Sequence, residues 1–404
     1  MGIFSKPKEE KELALVFDIG SSSVGGAVFE IQKFGIPKII LSIREPIILE
    51  EKINTERFLF LTLKSLEVVA SRICIMGIGK PSKIFCVLSS PWYASQTRVI
   101  KLEKNTSFLF TSKLADSLIQ KEISLFEEEH LNKFSHSDEK ARMIEFKNMK
   151  TMLNGYVTDE PFDKKVKKIE MVVFISMSED KILKKMVGAI SRHFHSEDVK
   201  FSSFTMASFT VARDMFMHQE NFLLVDIAGE VTDISLVKKD VLSESISYPL
   251  GRNFMIRGVA DSLSYTLSEA KSFISLYKDK HAVESVEKRL EPVISKLKTE
   301  WLNGFQQALV NLSNDISVPS TIFITVDQDL IDFFSEIIKT EQFNQYTITE
   351  SEFKIIFLDV PMLHGITAFK PSNSVFSRAD VIGDSIIRDP FIIIESIYIN
   401  RFVC

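Results

Sequence analysis

The chain is poor in glycine, with 15 in 404 residues, about half the usual share of roughly 7%. Backbone approaches a phosphate closely only where no side chain intervenes, so each retained glycine is informative. Cysteine is scarcer still. Cys74, Cys86 and Cys404 cannot build a disulfide framework, and the 7 histidines show no metal-ligand spacing, which leaves unpaired thiols in a reducing compartment. No apolar run reaches the roughly 20 residues of a membrane span, and the first residues lack a signal-peptide core. Myristoylation is excluded as well, because Lys6 stands where Ser or Thr is wanted. Charge of one sign is also missing: 49 Lys and Arg against 54 Asp and Glu, net −5, give no bulk signal for nucleic acid. The reading is a cytoplasmic protein that can sit at the inner face of the membrane.

What is present is ordinary globular composition, 45% hydrophobic and 25% charged, in a chain long enough for two to four domains. A polar tail, 1–12, leads into the apolar run Leu13-Ala14-Leu15-Val16-Phe17, which ends in Asp18-Ile19-Gly20-Ser21-Ser22-Ser23. A second apolar stretch follows at once, so the pattern predicts a hairpin with a Gly/Ser tip. A strand over 36–48, a helix over 55–76 and a strand over 83–88 complete a first lobe, 13–88. The stretch 89–178 differs, with strand-like runs at 98–102, 142–146 and 168–177 around an amphipathic helix, 112–134. It reads as an inserted α+β subdomain, after which 179–220 returns to the first lobe. The opening pattern then recurs. Asn221 to Val225 is an apolar strand ending in Asp226-Ile227-Ala228-Gly229-Glu230-Val231-Thr232, followed by strand runs at 234–237 and 243–248, a helical region over 255–314, a strand over 320–326 and a helix over 328–339. This gives a second lobe, 221–340, and a C-terminal return segment, 341–404. Two copies of strand, Asp-led turn and strand, about 208 residues apart, predict an internally duplicated α/β protein with a cleft between its halves.

A phosphate wants backbone N–H donors from an unobstructed turn, hydroxyls, and a carboxylate to hold Mg²⁺ through water. Asp18, Gly20, Ser21 and Ser22 supply that set on one side, and Asp226, Gly229 and Thr232 supply it on the other, with Gly251 close behind in Tyr248-Pro249-Leu250-Gly251. Asp18 and Asp226 are the candidate metal-positioning carboxylates.

These two turns resemble the phosphate-1 and phosphate-2 motifs of the actin-like ATPases. Tyr248-Pro-Leu-Gly-Arg-Asn resembles the segment after phosphate-2 in the FtsA and PilM branch. Residues 146–179 look like the SHS2 (1C) subdomain of that branch, and the opening MGIFSKPKEEKELALVFDIGSSSV is closest to PilM. The resemblance covers about 1–340. It implies a two-lobed actin-like (ribonuclease H-like) α/β fold with an inserted SHS2-type subdomain. It further implies ATP and Mg²⁺ as cofactors, and a scaffold role in type IV pilus assembly, recruiting the cytoplasmic tail of an inner-membrane protein through the insertion. An FtsA-like tether between a division filament protein and the membrane is the alternative within the family, and a true Mg-ATPase the alternative of another class. Homo-oligomers are compatible with each.

The departures from the family pattern weaken the nucleotide site. Glu230 replaces a glycine and would set a carboxylate beside the polyphosphate, where like charges 4 Å apart repel by about 4 kcal/mol at an effective dielectric near 20. The adenosine motif reads Thr325-Val326-Asp327-Gln328 with no glycine, Ala270-Lys271-Ser272-Phe273-Ile274 lacks the family's charged pair, and Arg252 replaces the second glycine after phosphate-2. Arg252 reads as solvent-exposed, with a phosphate ligand as the sharper alternative. Trp92 and Tyr93 read as a hinge anchored by buried aromatics, with a docking surface as the alternative. Ser89 and Ser90 lack the surroundings of a nucleophile. Lys164-Lys165-Val166-Lys167-Lys168 reads as a solvated loop face, with contact to acidic lipid as the alternative. The tail Phe391 to Cys404, rich in β-branched residues, reads as a closing strand or partner contact and not as a membrane-binding amphipathic helix.

Overall fold

The structure, a computed structural model, describes residues 12–33, 37–133, 140–312, 318–327, 330–339, 353–364 and 389–403. Residues 1–11 of the polar tail, Gln328, Cys404 and much of the return segment lie outside the described residues.

Two five-stranded sheets repeat one topology. In the first, β1 (Leu13–Ile19) forms the hairpin with β2 (Ser23–Glu30), β3 (Lys38–Pro46) extends it antiparallel, and β4 (Lys83–Leu88) and β9 (Val199–Ser203) add in parallel on the far side, in the order β3-β2-β1-β4-β9. In the second, β10 (Phe222–Ile227), β11 (Thr232–Lys238), β12 (Val241–Tyr248), β13 (Thr321–Val326) and β14 (Lys354–Phe357) take the equivalent places, in the order β12-β11-β10-β13-β14. The duplication expected from the two Asp-led turns is therefore a duplication of whole sheets.

Both central strands are apolar on both faces because each sheet is covered on both sides. Leu15, Phe17 and Ile19 pack against α1 (Thr55–Ile75) and α3 (Asp180–Phe194). Ala14 and Val16 face the opposite way, into a core built with α4 (Phe204–Met215) and α10 (Pro390–Val403). In the second lobe Leu223, Val225 and Ile227 meet α5 (Arg252–Leu263), α7 (Glu284–Leu312) and α8 (Ile331–Lys339), whereas Phe222 and Leu224 face the same central core as Ala14 and Val16. Strand parity therefore decides where the two candidate carboxylates point. Asp18 shares its parity with Ala14 and Val16, and Asp226 shares its parity with Phe222 and Leu224, so both are directed into the layer between the lobes.

Residues 94–179 carry a separate antiparallel sheet. Here β5 (Ala94–Phe110), β8 (Lys164–Glu179), β6 (Ala141–Leu153) and β7 (Tyr156–Val157) pair in the order β5-β8-β6-β7 and pack one face on α2 (Ser112–Lys133). The strands are longer than their apolar cores suggested, because their outer halves are half-exposed and polar. Lys164 to Lys168 are residues of β8 and not of a loop; Lys164, Lys165 and Lys167 are exposed while Val166 faces the core.

Two further readings are corrected. The helical region at 255–314 begins earlier, with Gly251 as N-cap, and is three helices, because Ser264 turns left-handed at φ 54 and α6 (Leu267–Lys278) ends at Asp279. The C-terminal tail is not a closing strand: α10 is a helix whose Ile392, Ile393, Ile394, Ile397, Tyr398 and Ile399 are all at most 4% exposed. A run of 14 residues is long for a strand and apolar on every side, the pattern of a helix buried all round.

Candidate functional site

The two turns lie in direct contact. A Cβ added at Gly229 would stand 2.7 Å from the Cβ and backbone N of Ser22 and 2.8 Å from the carbonyl carbon of Ser21, so only glycine permits the approach. The backbone N–H of Glu230 donates to Ser21 Oγ at 3.0 Å, and that hydroxyl is buried. Gly251 closes the back: its missing side chain would meet the carbonyl oxygens of Ala228 and Gly229 at 2.5 Å. Those two carbonyls accept the first free N–H groups of α5, from Arg252 at 2.9 Å and Asn253 at 2.8 Å. The donors a helix N-terminus could offer to an anion are thus bonded to the turn itself.

Gly20 is held in its turn by its own N–H to Ser23 O at 3.2 Å and by Trp92, whose indole Nε1 donates to the Gly20 carbonyl at 3.0 Å. Trp92 is 4% exposed and stacks on Phe58 with centroids 4.9 Å apart. This fits the reading of Trp92 as a buried anchor. Thr232 takes no part in the meeting of the turns, because its hydroxyl donates to Leu250 O at 2.7 Å and accepts from Trp301 Nε1 at 3.3 Å.

Asp18 is 2% exposed and is paired with an arginine that the sequence reading missed. Asp18, Gly25 and Arg44 stand opposite one another across β1, β2 and β3. Gly25 leaves room above the sheet: a Cβ there would lie 2.8 Å from Arg44 Nη2. The Arg44 guanidinium crosses that gap to donate to Asp18 Oδ2 at 2.5 Å, to Ser23 Oγ at 2.7 Å, and in bidentate fashion to Asp389 at 2.6 and 3.0 Å. Asp389 also caps α10, accepting from Ile392 N–H at 3.3 Å. Next to this set, Glu395 of α10 is fully buried, and neither its oxygens nor Asp18 Oδ1 meets a hydrogen-bond donor. Burial raises the pKa of Asp18, with Arg44 opposing; burial, then the charge of Asp18, pushes Glu395 well above the glutamate range.

Asp226 is likewise enclosed. Thr325 Oγ1 donates to it at 2.8 Å, and burial, then the neighbouring charge of Asp233, drives its pKa well above the aspartate range. Asp233 accepts from Ser247 Oγ at 2.5 Å and is itself raised by burial. Among the described residues no group of three or more His, Cys, Asp or Glu side chains is arranged to hold a metal ion.

Glu230 does not lie open toward the space between the turns. Its carboxylate is turned onto α5, where Arg257 donates at 2.6 and 2.8 Å and Asn253 Nδ2 at 2.8 Å. The expected repulsion with a polyphosphate is therefore replaced by a buried ion pair. Arg252 is corrected as well: it is half-buried and bonded to Asp327 of the would-be adenosine motif. Ala270 is buried in α6. Beside the turns a shallow depression of about 20 Å³ opens to solvent, lined by Ser21, Leu49, Lys52, Phe58, Asn253 and Arg257 among others.

These residues do not fit Mg²⁺-ATP as they stand. Ser21 and Ser22 touch Gly229, the N–H groups of Glu230, Arg252 and Asn253 have acceptors, and Asp18 has its positive partner in Arg44.

No family model and no curated relative matches the sequence. Among solved structures, the PilM-PilN type IV pilus biogenesis complex matches 96% of this chain and 97% of its own, with TM-score 0.56 and 13% identity. The fold is the actin-like one. Weaker matches include the ethanolamine utilization protein EutJ from Carboxydothermus hydrogenoformans, at 10% identity, 87% and 85% coverage and TM-score 0.40. Another is a Bacteroides thetaiotaomicron protein with an actin-like ATPase fold, at 7% identity, 89% and 94% coverage and TM-score 0.39. Among the described residues of this actin-like chain, no helix is long and apolar enough to cross a membrane.

Proposed function

We propose that this chain is a PilM-like scaffold at the inner face of the cell membrane, in which the actin-like nucleotide site has been converted into a structural joint. The observation that carries this reading is the contact of Gly229 with Ser21 and Ser22, sealed by the Glu230 N–H to Ser21 bond. Support also comes from the partners that neutralise the charged groups: Arg44 on Asp18, Arg257 on Glu230 and Asp327 on Arg252. Ser21, Ser22 and Gly229 then hold the lobes together, Gly20 and Gly251 shape the turns, and Asp18, Asp226 and Thr232 are bonded away from any nucleotide; ATP hydrolysis is not the activity.

The likeness to the PilM-PilN complex supports a partner at the membrane. In this reading the sheet at 94–179 is the SHS2-type subdomain, it receives the cytoplasmic tail of an inner-membrane protein, and the protein reaches the membrane through that partner. The apolar residues of α10 are spent inside the protein and are not the lipid-binding face that a division tether would use.

The test is a pull-down of detergent-solubilised membrane proteins with the wild type and with an Asp18→Asn, Asp226→Asn double variant. A scaffold captures the same partner with both. ATP-dependent release of the partner from the wild type would overturn the reading in favour of an ATPase.

A further inference from the structure

The C-terminal helix touches the phosphate-1 turn at one end and the inserted sheet at the other, and neither contact was visible in the sequence. At its start, Asp389 accepts two bonds from Arg44, the partner of Asp18, and near its middle the buried Glu395 lies beside the same group. One turn beyond Glu395, the Tyr398 hydroxyl donates to Glu145 of β6. Glu145 is 6% exposed and comes from the insertion, yet its other oxygen accepts from Ser203 N–H at 3.1 Å and Ser203 Oγ at 2.8 Å. Ser203 is the N-cap of α4, the helix that packs along α10. Farther along, Asn400 exchanges two bonds with the main chain of Gln32, two residues past the end of β2, accepting at 2.9 Å and donating at 3.2 Å.

Each of these partners is a directional bond to a buried or half-buried group, so α10 cannot slide or rotate at one end without straining the other. From Asp389 to Tyr398 the helix spans about 14 Å at 1.5 Å per residue, and its apolar side chains are wedged against α4, β1 and β2. Packed side chains, hydrogen-bond networks and rigid helices are the physical carriers of coupling between separated sites.

We propose that α10 is a coupling rod: it links the seat of Asp18 in the first lobe to the orientation of the inserted sheet, so that a change at either place is felt at the other. The link is reciprocal, because a coupling free energy between two sites acts equally in both directions. This goes beyond the scaffold reading and holds whether or not a partner binds the insertion.

Hydrogen–deuterium exchange on the full chain tests it. Tyr398→Phe removes one hydroxyl at the insertion end; Asp389→Asn weakens the Arg44 contact at the other. The rod requires Tyr398→Phe to speed exchange roughly tenfold in β6 and also in residues 18–23 and β3, while β10 and β13 stay protected. Asp389→Asn must act in reverse, on residues 18–23 and also on β6 and β9. Effects confined to the substituted end in both variants would overturn the proposal. If Tyr398→Phe fails to fold, Glu145→Gln poses the same question from the insertion side, and an unchanged phosphate-1 turn in that variant would also overturn it.

Discussion

Replacing Arg44 with methionine removes the cation that bridges Asp18 and Asp389. The side chain makes four hydrogen bonds to three residues, and its acidic partners are 2% and 13% exposed. Taking away one member of a buried pair costs about 3–5 kcal/mol, because the charge left behind has no partner. At roughly 2–4 °C per kcal/mol for a lobe-sized unit, the midpoint of thermal unfolding falls by at least about 6 °C. The loss depends on pH. Burial already raises the pKa of Asp18, and Arg44 is what opposes that rise, so the variant raises it further. A carboxyl whose folded-state pKa lies above its unfolded value loses stability as pH rises between the two, by up to about 1.4 kcal/mol per pH unit. The deficit of Arg44→Met relative to wild type is therefore smaller near pH 5 and larger near pH 8. Calorimetric unfolding of both proteins at the two pH values measures it. A deficit below about 1 kcal/mol, or one that does not grow with pH, would refute the assignment of Arg44 as the partner of a buried Asp18.

Four other outcomes follow from the same geometry. Gly25→Ala puts a methyl group where Arg44 crosses β2 and against the Ile392 side chain at 3.2 Å; it should lower the unfolding midpoint, and adding it to Arg44→Met should cost less than the sum of the two, as a double-mutant cycle shows. Glu230→Gly returns one glycine to the second turn but leaves Arg257 without its carboxylate partner, so titration calorimetry should show no gain of ATP binding and a loss of stability of about 3–5 kcal/mol. Asp226→Asn removes a carboxyl raised by burial and by Asp233, and should stabilise the protein more at pH 8 than at pH 5.5 in denaturant titrations; the opposite trend would show that the carboxylate is needed in its charged form. In a Trp301→Phe background, Trp92 is the remaining tryptophan and reports on the Gly20 carbonyl it donates to; its emission should be blue-shifted and unmoved by millimolar ATP.

What the sequence revealed was what local pattern encodes. The Asp-led turns at 18 and 226 and their separation located two equivalent sheets, and the changed character of 89–178 located the third. The site was harder because its chemistry runs across the chain. Arg44 became a partner of Asp18 only through the register of three strands and the bare backbone of Gly25, although a Gly25-Gly26 pair inside a strand was a usable signal for a close approach. Asn253 and Arg257 lie four apart on α5, a spacing that puts both on one face and marks them as ready partners for a nearby carboxylate such as Glu230. The β-branched tail misled because isoleucine favours strands when half-buried, whereas full burial on all sides lets a helix form. Glu145 carried no signal at all, since its partners are 58 and 253 positions away.

The central claim is that the meeting of the two turns has replaced nucleotide. Titration calorimetry of the full chain with ATP, with and without Mg²⁺, tests it most directly. The account predicts no binding heat up to millimolar ATP in either condition. Micromolar binding that requires Mg²⁺ would contradict it, and would mean that the contact between Gly229 and Ser21-Ser22 opens to admit a phosphate.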